Sequence, residues 1–312
     1  MKMPLLRIRS HPLSATAALL LLAACQNAAD LPEAEPRASQ ADIRAEVEAM
    51  GDDFLARRPM RGFLHDMPVA TAYYWQDVFI DHVRPELGAV VGYKTGGHDP
   101  GPGFPVFPLD GIRGAIQEGM LRQSGASVSL EETRRGFLEA DFAVRVGNAS
   151  INTASTDLEI LAALESVVAF AEIPDPYYEA ETRSINGTIA ANMGSRYSFV
   201  GDESPVEVSA AFLERLDRFS FAVHDEAGNE VERGEIAGWY RPIEVIRWLR
   251  DSLVDGGKRL EPGDLLSLGN IGIIRQLHEG SPRGPAYPGD AFTLSYYGLS
   301  DEPLSVTIRI AR

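Results

Sequence analysis

Two carboxylates stand inside an otherwise apolar run in Phe137-Leu-Glu-Ala-Asp-Phe-Ala-Val-Arg-Val146. Side chains i and i+2 of a strand leave the same face, so Glu139 and Asp141 point the same way, with Phe142 and Val144 lying about them. Like charges held that close raise each other's energy unless a cation sits between them. A second apolar run, Val167-Val-Ala-Phe-Ala-Glu-Ile-Pro-Asp175, carries a third carboxylate, Glu172, and a third run, Gly88-Ala-Val-Val-Gly-Tyr-Lys94, ends on a lysine. Three carboxylates leaving hydrophobic strands make an oxygen-only site suited to Mg²⁺ or Mn²⁺, with positions open to water or substrate. Lys94 in such a place serves as an acid or base if desolvated, or as a fixed positive charge. Taken singly, each group also has an ordinary explanation: an acid pair on a solvated strand face, a strand-end glutamate, a surface lysine.

Periodicity places the remaining elements. Ile43, Val47, Met50, Phe54 and Leu55 recur at helical spacing and predict a helix over 41–58, capped by Ser39 or Asp42. Ala72, Trp75, Phe79 and Val83 predict a second over 69–83, ending before Pro85. Residues 88–94 read as a buried strand. Residues 95–108 are crowded with Gly and Pro and must form a loop, and long loops inside a domain often cover active sites. Residues 137–146 read as a strand, 157–168 as a helix capped by Ser155 or Thr156, 168–173 as a strand and 188–197 as helical. Residues 219–224 and 230–233 flank a turn and form a hairpin. Residues 242–253 make an amphipathic helix, and 265–268, 291–297 and 304–310 are strands. Short strands with helices set between them predict an α+β fold around a folded-over mixed sheet.

The N-terminus has a different logic. Lys2, Arg7 and Arg9 precede an apolar run over 15–24, followed by Cys25. That is the layout of a secretory signal, too short and wrongly flanked for a stable spanning helix. Leu22-Ala-Ala-Cys25 resembles a lipobox, so a lipoprotein signal peptide is expected over 1–24, with lipidation at Cys25. A polar, Pro-containing tether follows over 25–40, and the folded body occupies 41–312. Acyl chains on Cys25 would hold the protein to a membrane by burying many methylenes. Gln26 after the cysteine, by resemblance to lipoproteins of two-membraned bacteria, points to the periplasmic face of the outer membrane in the bacterial cell envelope. Cys25 is the only cysteine, which excludes a disulfide framework and thiolate chemistry in the body. The formal charge of −16, more acidic still without the signal, argues against nucleic acid as a partner. It leaves room for an anionic substrate, because a bound cation inverts the field locally.

Several short segments also match one family in order. Val91-Gly-Tyr-Lys-Thr-Gly96 resembles the Gly-x-Lys-x-Gly segment of 2-keto-4-pentenoate hydratases. Glu139-Ala-Asp141 resembles their metal-binding acid pair, and Glu172-Ile-Pro-Asp175 the segment with the third metal carboxylate. Ala190-Ala-Asn192 is similar to an Asn segment of the family, and residues 242–249 to its late helix with Trp-Leu. Gly263-Asp-Leu-Leu-Ser-Leu-Gly269 and Pro288-Gly-Asp290 are similar to its two C-terminal turns. The body from residue 41 to the end thus resembles the fumarylacetoacetate hydrolase superfamily, in its hydratase branch. The resemblance implies a mixed β-roll over 91–312 preceded by a helical part over 41–90. It implies Mg²⁺ or Mn²⁺ held by Glu139, Asp141 and Glu172, with Lys94 polarising the substrate or shuttling a proton. Asn192 and Gly269 become candidate substrate contacts, and a homo-oligomer is expected. The implied activity is that of a lyase, a hydratase or decarboxylase, acting on a 2-oxo or 2-hydroxydienoic acid through an enolate.

Three positions depart from the family pattern. The hydratases carry Asp directly before the Met of the segment after the loop. Here Gly114-Ala-Ile-Gln-Glu-Gly-Met120 has Gly119 in that place. Glu118, one position earlier, is the remaining catalytic candidate, although a one-residue shift in a strand turns a side chain to the other face. Leu268 stands where the family has a Thr, losing a hydroxyl expected to hold the substrate carboxylate, and Arg241 stands where it has a His. These departures bear on water addition more than on fold or metal. They keep a second reading open, that of a non-catalytic, lipid-anchored envelope binding protein that retains the fold. The six histidines contain no His-x-x-x-His pair, and no Gly-x-Ser-x-Gly elbow is present.

Overall fold

In the computed structural model the first two amphipathic segments become α1 (Gln40–Leu55) and α2 (Val69–Leu87). The structure describes residues 38–97, 110–179, 184–279 and 286–312. The expected signal peptide, Cys25 and most of the tether lie outside the described residues, as do residues 98–109 of the Gly/Pro-rich segment. α2 runs past its expected end, through Pro85. A proline in the last turn forfeits only one intrahelical bond there, and Gly88, at φ 77°, ends the helix with its N–H on the Arg84 carbonyl.

The strands and helices that follow are β1 (Val90–Gly96), β2 (Ile112–Gln117), β3 (Leu121–Gln123), β4 (Ser127–Ser129), β5 (Phe137–Val146), α3 (Asp157–Ala162) and β6 (Leu164–Ile173). Then come α4 (Ile185–Ala190), β7 (Tyr197–Pro205), α5 (Ala210–Leu216), β8 (Ser220–His224), β9 (Glu230–Glu235) and α6 (Pro242–Asp255). The chain closes with β10 (Leu265–Asn270), β11 (Arg275–Gln276), β12 (Ala291–Tyr297) and β13 (Leu304–Ala311). Among the described residues no helix is long and apolar enough to cross a membrane.

Two expected helices are cut short. The one over 157–168 is only α3. Its start is strong, because the Thr156 hydroxyl accepts from the Glu159 N–H (3.2 Å) and the Glu159 carboxylate accepts from Ser155 and Thr156 (2.7 and 3.0 Å). Beyond it, the β-branched pair Val167 and Val168 enters β6, which is paired with β5 on one side and β7 on the other. The helix over 188–197 is replaced by α4 and a left-handed turn. Asn192, Met193 and Gly194 have φ of 51°, 58° and 67°, which no right-handed helix accommodates.

The larger sheet runs β2-β1-β10-β5-β6-β7-β3, with β11 added to β5, and the smaller runs β4-β13-β12-β8-β9. Parallel pairs (β1 with β10, β3 with β7) and antiparallel pairs (β5 with β10 and β6) make the larger sheet mixed. This is the expected α+β architecture with an N-terminal helical segment. β5 divides its two faces. Leu138, Ala140, Phe142, Val144 and Val146 enter the main core with Phe221, Phe292, Leu294 and Ile308 of the smaller sheet. Each such large apolar side chain, fully buried, contributes about 1.5–3 kcal/mol. Phe142 and Val144 therefore lie behind the carboxylates and not around them. Glu139 and Asp141 point to the opposite face, where Ala143, Val168 and Phe170 form a smaller cluster.

The outer edge of β2 is closed by side chains in place of another strand. The Asn192 amide takes both backbone groups of Ala115, while Gln76 donates to the Arg113 carbonyl (2.8 Å) and the Arg113 N–H donates to the Tyr73 hydroxyl (3.1 Å). The helical segment packs along this edge, where Ile112 meets Ala72 and Ile189.

Candidate metal centre

Strand register assembles the acid cluster. Glu139 and Glu172 are directly opposite on β5 and β6, and Asp141 lies two residues along β5 on the same face. On the other side, Lys94 of β1 pairs in register with Ser267 of β10. From β1 to β6 is three strand spacings, about 14 Å in a flat sheet, too far for side chains that stand perpendicular to it. Yet the Lys94 ammonium donates to Glu172 Oε2. The sheet curls, and this face lines its concave side.

Glu139, Asp141 and Glu172 each offer an oxygen, and these oxygens lie within 4.8 Å of one another. Asp141 and Glu172 are 1% exposed and Lys94 is 3% exposed, so water screens them little. The Ser267 hydroxyl donates to Asp141 Oδ2 (2.8 Å) and the Ser198 hydroxyl to Glu172 Oε1 (3.3 Å). Asp141 Oδ1 is buried and accepts no hydrogen bond among the described residues. A buried acceptor left this way costs roughly 1–3 kcal/mol.

Burial acts to lower the Lys94 pKa, but the charges of Glu172, Glu139 and Asp141 outweigh it and hold the ammonium above its ordinary range. Burial, followed by the charges of Glu172 and Glu139, pushes the Asp141 carboxyl well above the usual carboxylate range, against the opposing pull of Lys94 and Ser267. With all four groups ionised, three carboxylates and one ammonium leave two negative charges. The oxygen-only donors, their convergence within 4.8 Å and the Asp141 Oδ1 that has no described hydrogen bond fit a hard divalent cation.

The backbone beneath the cluster is tied down. The Tyr296 hydroxyl reaches from β12 to the carbonyls of Asp141 and Phe170, and the Tyr240 hydroxyl donates to the Leu268 carbonyl (2.8 Å). Asn270 Oδ1 accepts from the Ala140 N–H (3.0 Å), bridging the irregularity between β10 and β5. At the end of β6, Asp175 accepts from the N–H groups of Arg134 and Arg135 and pairs with Arg196 (3.2 Å).

The sequence-derived candidates divide. Lys94, Glu139, Asp141 and Glu172 come together. Asn192 is close to Lys94, since a Cβ on Gly114 would meet both Asn192 Oδ1 (2.9 Å) and Lys94 Cγ (3.4 Å). Its amide, however, is spent on Ala115, with Oδ1 accepting (2.6 Å) and Nδ2 donating (2.9 Å). Gly269 has φ 92° and brings its backbone against the Thr95 carbonyl, a conformation that favours glycine. Glu118 is not brought to the cluster. It is exposed in a short 3₁₀ turn after β2, accepts from the Ala89 N–H (3.0 Å), and follows the Val90–Gln117 pair, four residues along β1 from Lys94.

The three departures find physical reasons. A side chain at Gly119 would press on the Leu87 backbone at 3.0 Å. Leu268 belongs to the main core, so the hydroxyl presented to the carboxylates by this turn is that of Ser267. Arg241, 58% exposed at its side chain, pairs loosely with Asp217 (3.7 Å) at the start of α6. Sequence reasoning missed Ser267 and Ser198. Ser267 lay inside the Gly263–Gly269 motif, between two leucines of opposite face, and that alternation was its available signal.

No family model and no curated protein matches the chain. Its fold is that of the fumarylacetoacetate hydrolase type. Among solved structures it is similar to 4-oxalocrotonate decarboxylase from Pseudomonas putida G7 complexed with calcium and acetate. The two share 19% identity over 88% of this chain and 98% of that chain, with a TM-score of 0.67. The same decarboxylase complexed with magnesium and adipate gives the same identity, coverage and TM-score.

Proposed function

We propose that this chain is a divalent-metal-dependent lyase acting on a 2-oxo or 2-hydroxydienoic acid through an enolate. The observation that carries this reading is the convergence of carboxylate oxygens from half-buried Glu139 and buried Asp141 and Glu172 within 4.8 Å of one another, beside the Lys94 ammonium. Glu139, Asp141 and Glu172 would hold Mg²⁺ or Mn²⁺, which would supply Lewis-acid polarisation of a bound oxo acid. Lys94, kept protonated by its neighbours, holds a proton at Nζ at the edge of the cluster, where an enolate carbon can receive it. Ser267 and Ser198 fix the orientation of Asp141 and Glu172.

Of the two lyase reactions, the residues favour decarboxylation. Water addition calls for a further base. The carboxylate nearest the family's position, Glu118, is bonded to Ala89 and exposed, and Gly119 leaves no acid in its place. Decarboxylation asks only that a second carboxylate, conjugated with the oxo group, leave as carbon dioxide, that the electrons of its C–C bond pass through the conjugated system to the oxo oxygen, and that a proton return to carbon, which Lys94 can supply. The similar solved protein is named a decarboxylase and was complexed with calcium or magnesium and with acetate or adipate, which supports a divalent ion and a carboxylate ligand here. The test is an ultraviolet assay of a panel of 2-oxo and 2-hydroxydienoic acids with Mn²⁺. Carbon dioxide release marks decarboxylation, and loss of the dienol absorbance without it marks hydration.

We also propose that the protein is exported, lipidated at Cys25 and held at the periplasmic face of the outer membrane, and that it forms a homo-oligomer. The Leu22-Ala-Ala-Cys25 run after a basic, then apolar, N-terminus supports the anchor. Cys25→Ser should abolish acyl labelling and move the protein out of the membrane fraction, and light scattering of the folded body reads its mass in solution.

A further inference from the structure

Arg113, Arg196 and Arg250 are buried. Arg196 pairs with Asp175 (3.2 Å) and Arg250 with Asp251 (2.7 Å). Arg113, 2% exposed, forms no ion pair among the described residues. Its guanidinium lies 4.0 Å from the centre of the Tyr73 ring, and its Nε donates to the Ser252 hydroxyl (3.1 Å). That leaves most of its five N–H donors without a described acceptor. A buried cation in this condition is costly until an anion meets it.

Arg113 lines a cavity of about 280 Å³ framed by α2, the β1–β2 ladder and Lys258. Two carboxylates share the wall, and each already has a cation: Asp77 with Lys258 (2.8 Å) and Asp81 with Arg84 (2.5 Å). Arg113 feels the charge of Asp77 but forms no described ion pair of its own, so the wall carries three cations against two carboxylates, in a chain whose formal charge is −16. Cross-strand register sets the cavity apart from the acid cluster. Arg113 is opposite Thr95 and Ala115 opposite Tyr93, so these side chains share one face, while Lys94 and Gly114 occupy the other.

We propose that this cavity is a second binding site, for a small oxyanion bearing a carboxylate or phosphate group. The planar fork of Arg113 can donate to two oxygens side by side, which a lysine does not match. Lys258, paired with Asp77, places a second cation on the wall. The ligand rests against the back of β1 behind Lys94, and the site stands whether or not the metal centre turns over substrate.

The test is calorimetric titration of the metal-free, full-length chain, in the presence of chelator, with inorganic phosphate and separately with succinate. Saturable one-to-one binding of at least one is expected, and which one binds identifies the phosphate or the carboxylate as the recognised group. Arg113→Lys should weaken that binding at least tenfold. Lys258→Gln, at a partly exposed position that leaves the fold intact, should weaken it about threefold or more. A Glu139→Ala/Asp141→Ala chain should bind the anion as the wild type does. The proposal is overturned if neither anion saturates, if Lys258→Gln binds as the wild type does, or if binding disappears with the acid pair.

Discussion

Lys94 on β1 donates to Glu172 on β6 although β10 and β5 stand between them in the ladder. The contact exists because the sheet curls, and it places the ammonium among three carboxylates at negligible exposure. Breaking a buried pair by removing one partner typically costs about 3–5 kcal/mol, since the other charge is left uncompensated. Lys94→Met should therefore destabilise the metal-free chain by roughly that amount in urea denaturation. Mn²⁺ should restore part of the loss but not the turnover. An unchanged unfolding midpoint would show that the pair contributes nothing.

Asp141 sets a pH dependence with a definite sign. Its folded pKa is raised, first by burial and then by Glu172 and Glu139. A carboxyl of this kind contributes stability that is fully present below its unfolded value, about 3.9, and is lost as pH rises through the folded value. The metal-free chain should lose this contribution as pH climbs from about 4 through the raised pKa. Asp141→Asn should remove that component of the slope and melt higher than the wild type at neutral pH without metal. Saturating Mn²⁺, which favours the ionised carboxylate, should abolish the wild-type loss. Identical melting-versus-pH curves for the two chains would contradict the assignment.

Ser267 holds one oxygen of Asp141 and so aims the other. Ser267→Ala removes a hydrogen bond to a charged group, a loss of about 1.5–3 kcal/mol. It should also weaken Mn²⁺ binding by roughly 10–100-fold, the range found when groups that orient metal ligands are removed. Ser267→Thr, which keeps the hydroxyl, should recover most of the affinity. Equal Mn²⁺ affinity in Ser267→Ala and wild type would remove Ser267 from the site.

Glu118 faces water and its carboxylate caps the Ala89 N–H. Glu118→Gln retains an oxygen acceptor for that bond. Its kcat should stay within about twofold of wild type and its stability within about 0.5 kcal/mol, the range usual for surface changes. A large fall in kcat would restore Glu118 to the chemistry.

Much of this was legible in the sequence where the signal is local. β5 spans Phe137–Val146 as its alternation predicts, and β12 spans Ala291–Tyr297. The acid cluster was legible because carboxylates inside apolar strands have few places to go. What stayed hidden depends on pairing between distant segments. Ser267 meets Asp141 only because β10 lies beside both β1 and β5, a register set over more than a hundred residues. The start of β6 was masked by the capping box of α3, whose apolar continuation fits either period until neighbouring strands select one. Glu118 was drawn toward the chemistry by its nearness in sequence to the family's Asp position, while the β1–β2 register sets it at the far end of the strand from Lys94.

Everything rests on a divalent ion binding where Glu139, Asp141 and Glu172 converge. The most direct measurement is Mn²⁺ binding, followed by electron paramagnetic resonance, to the wild type and to Glu139→Ala/Asp141→Ala. One tightly held Mn²⁺ per wild-type chain is expected, released by Mg²⁺ in excess and absent from the double variant. No stoichiometric Mn²⁺ in the wild type, or the same signal in the double variant, would contradict the metal centre.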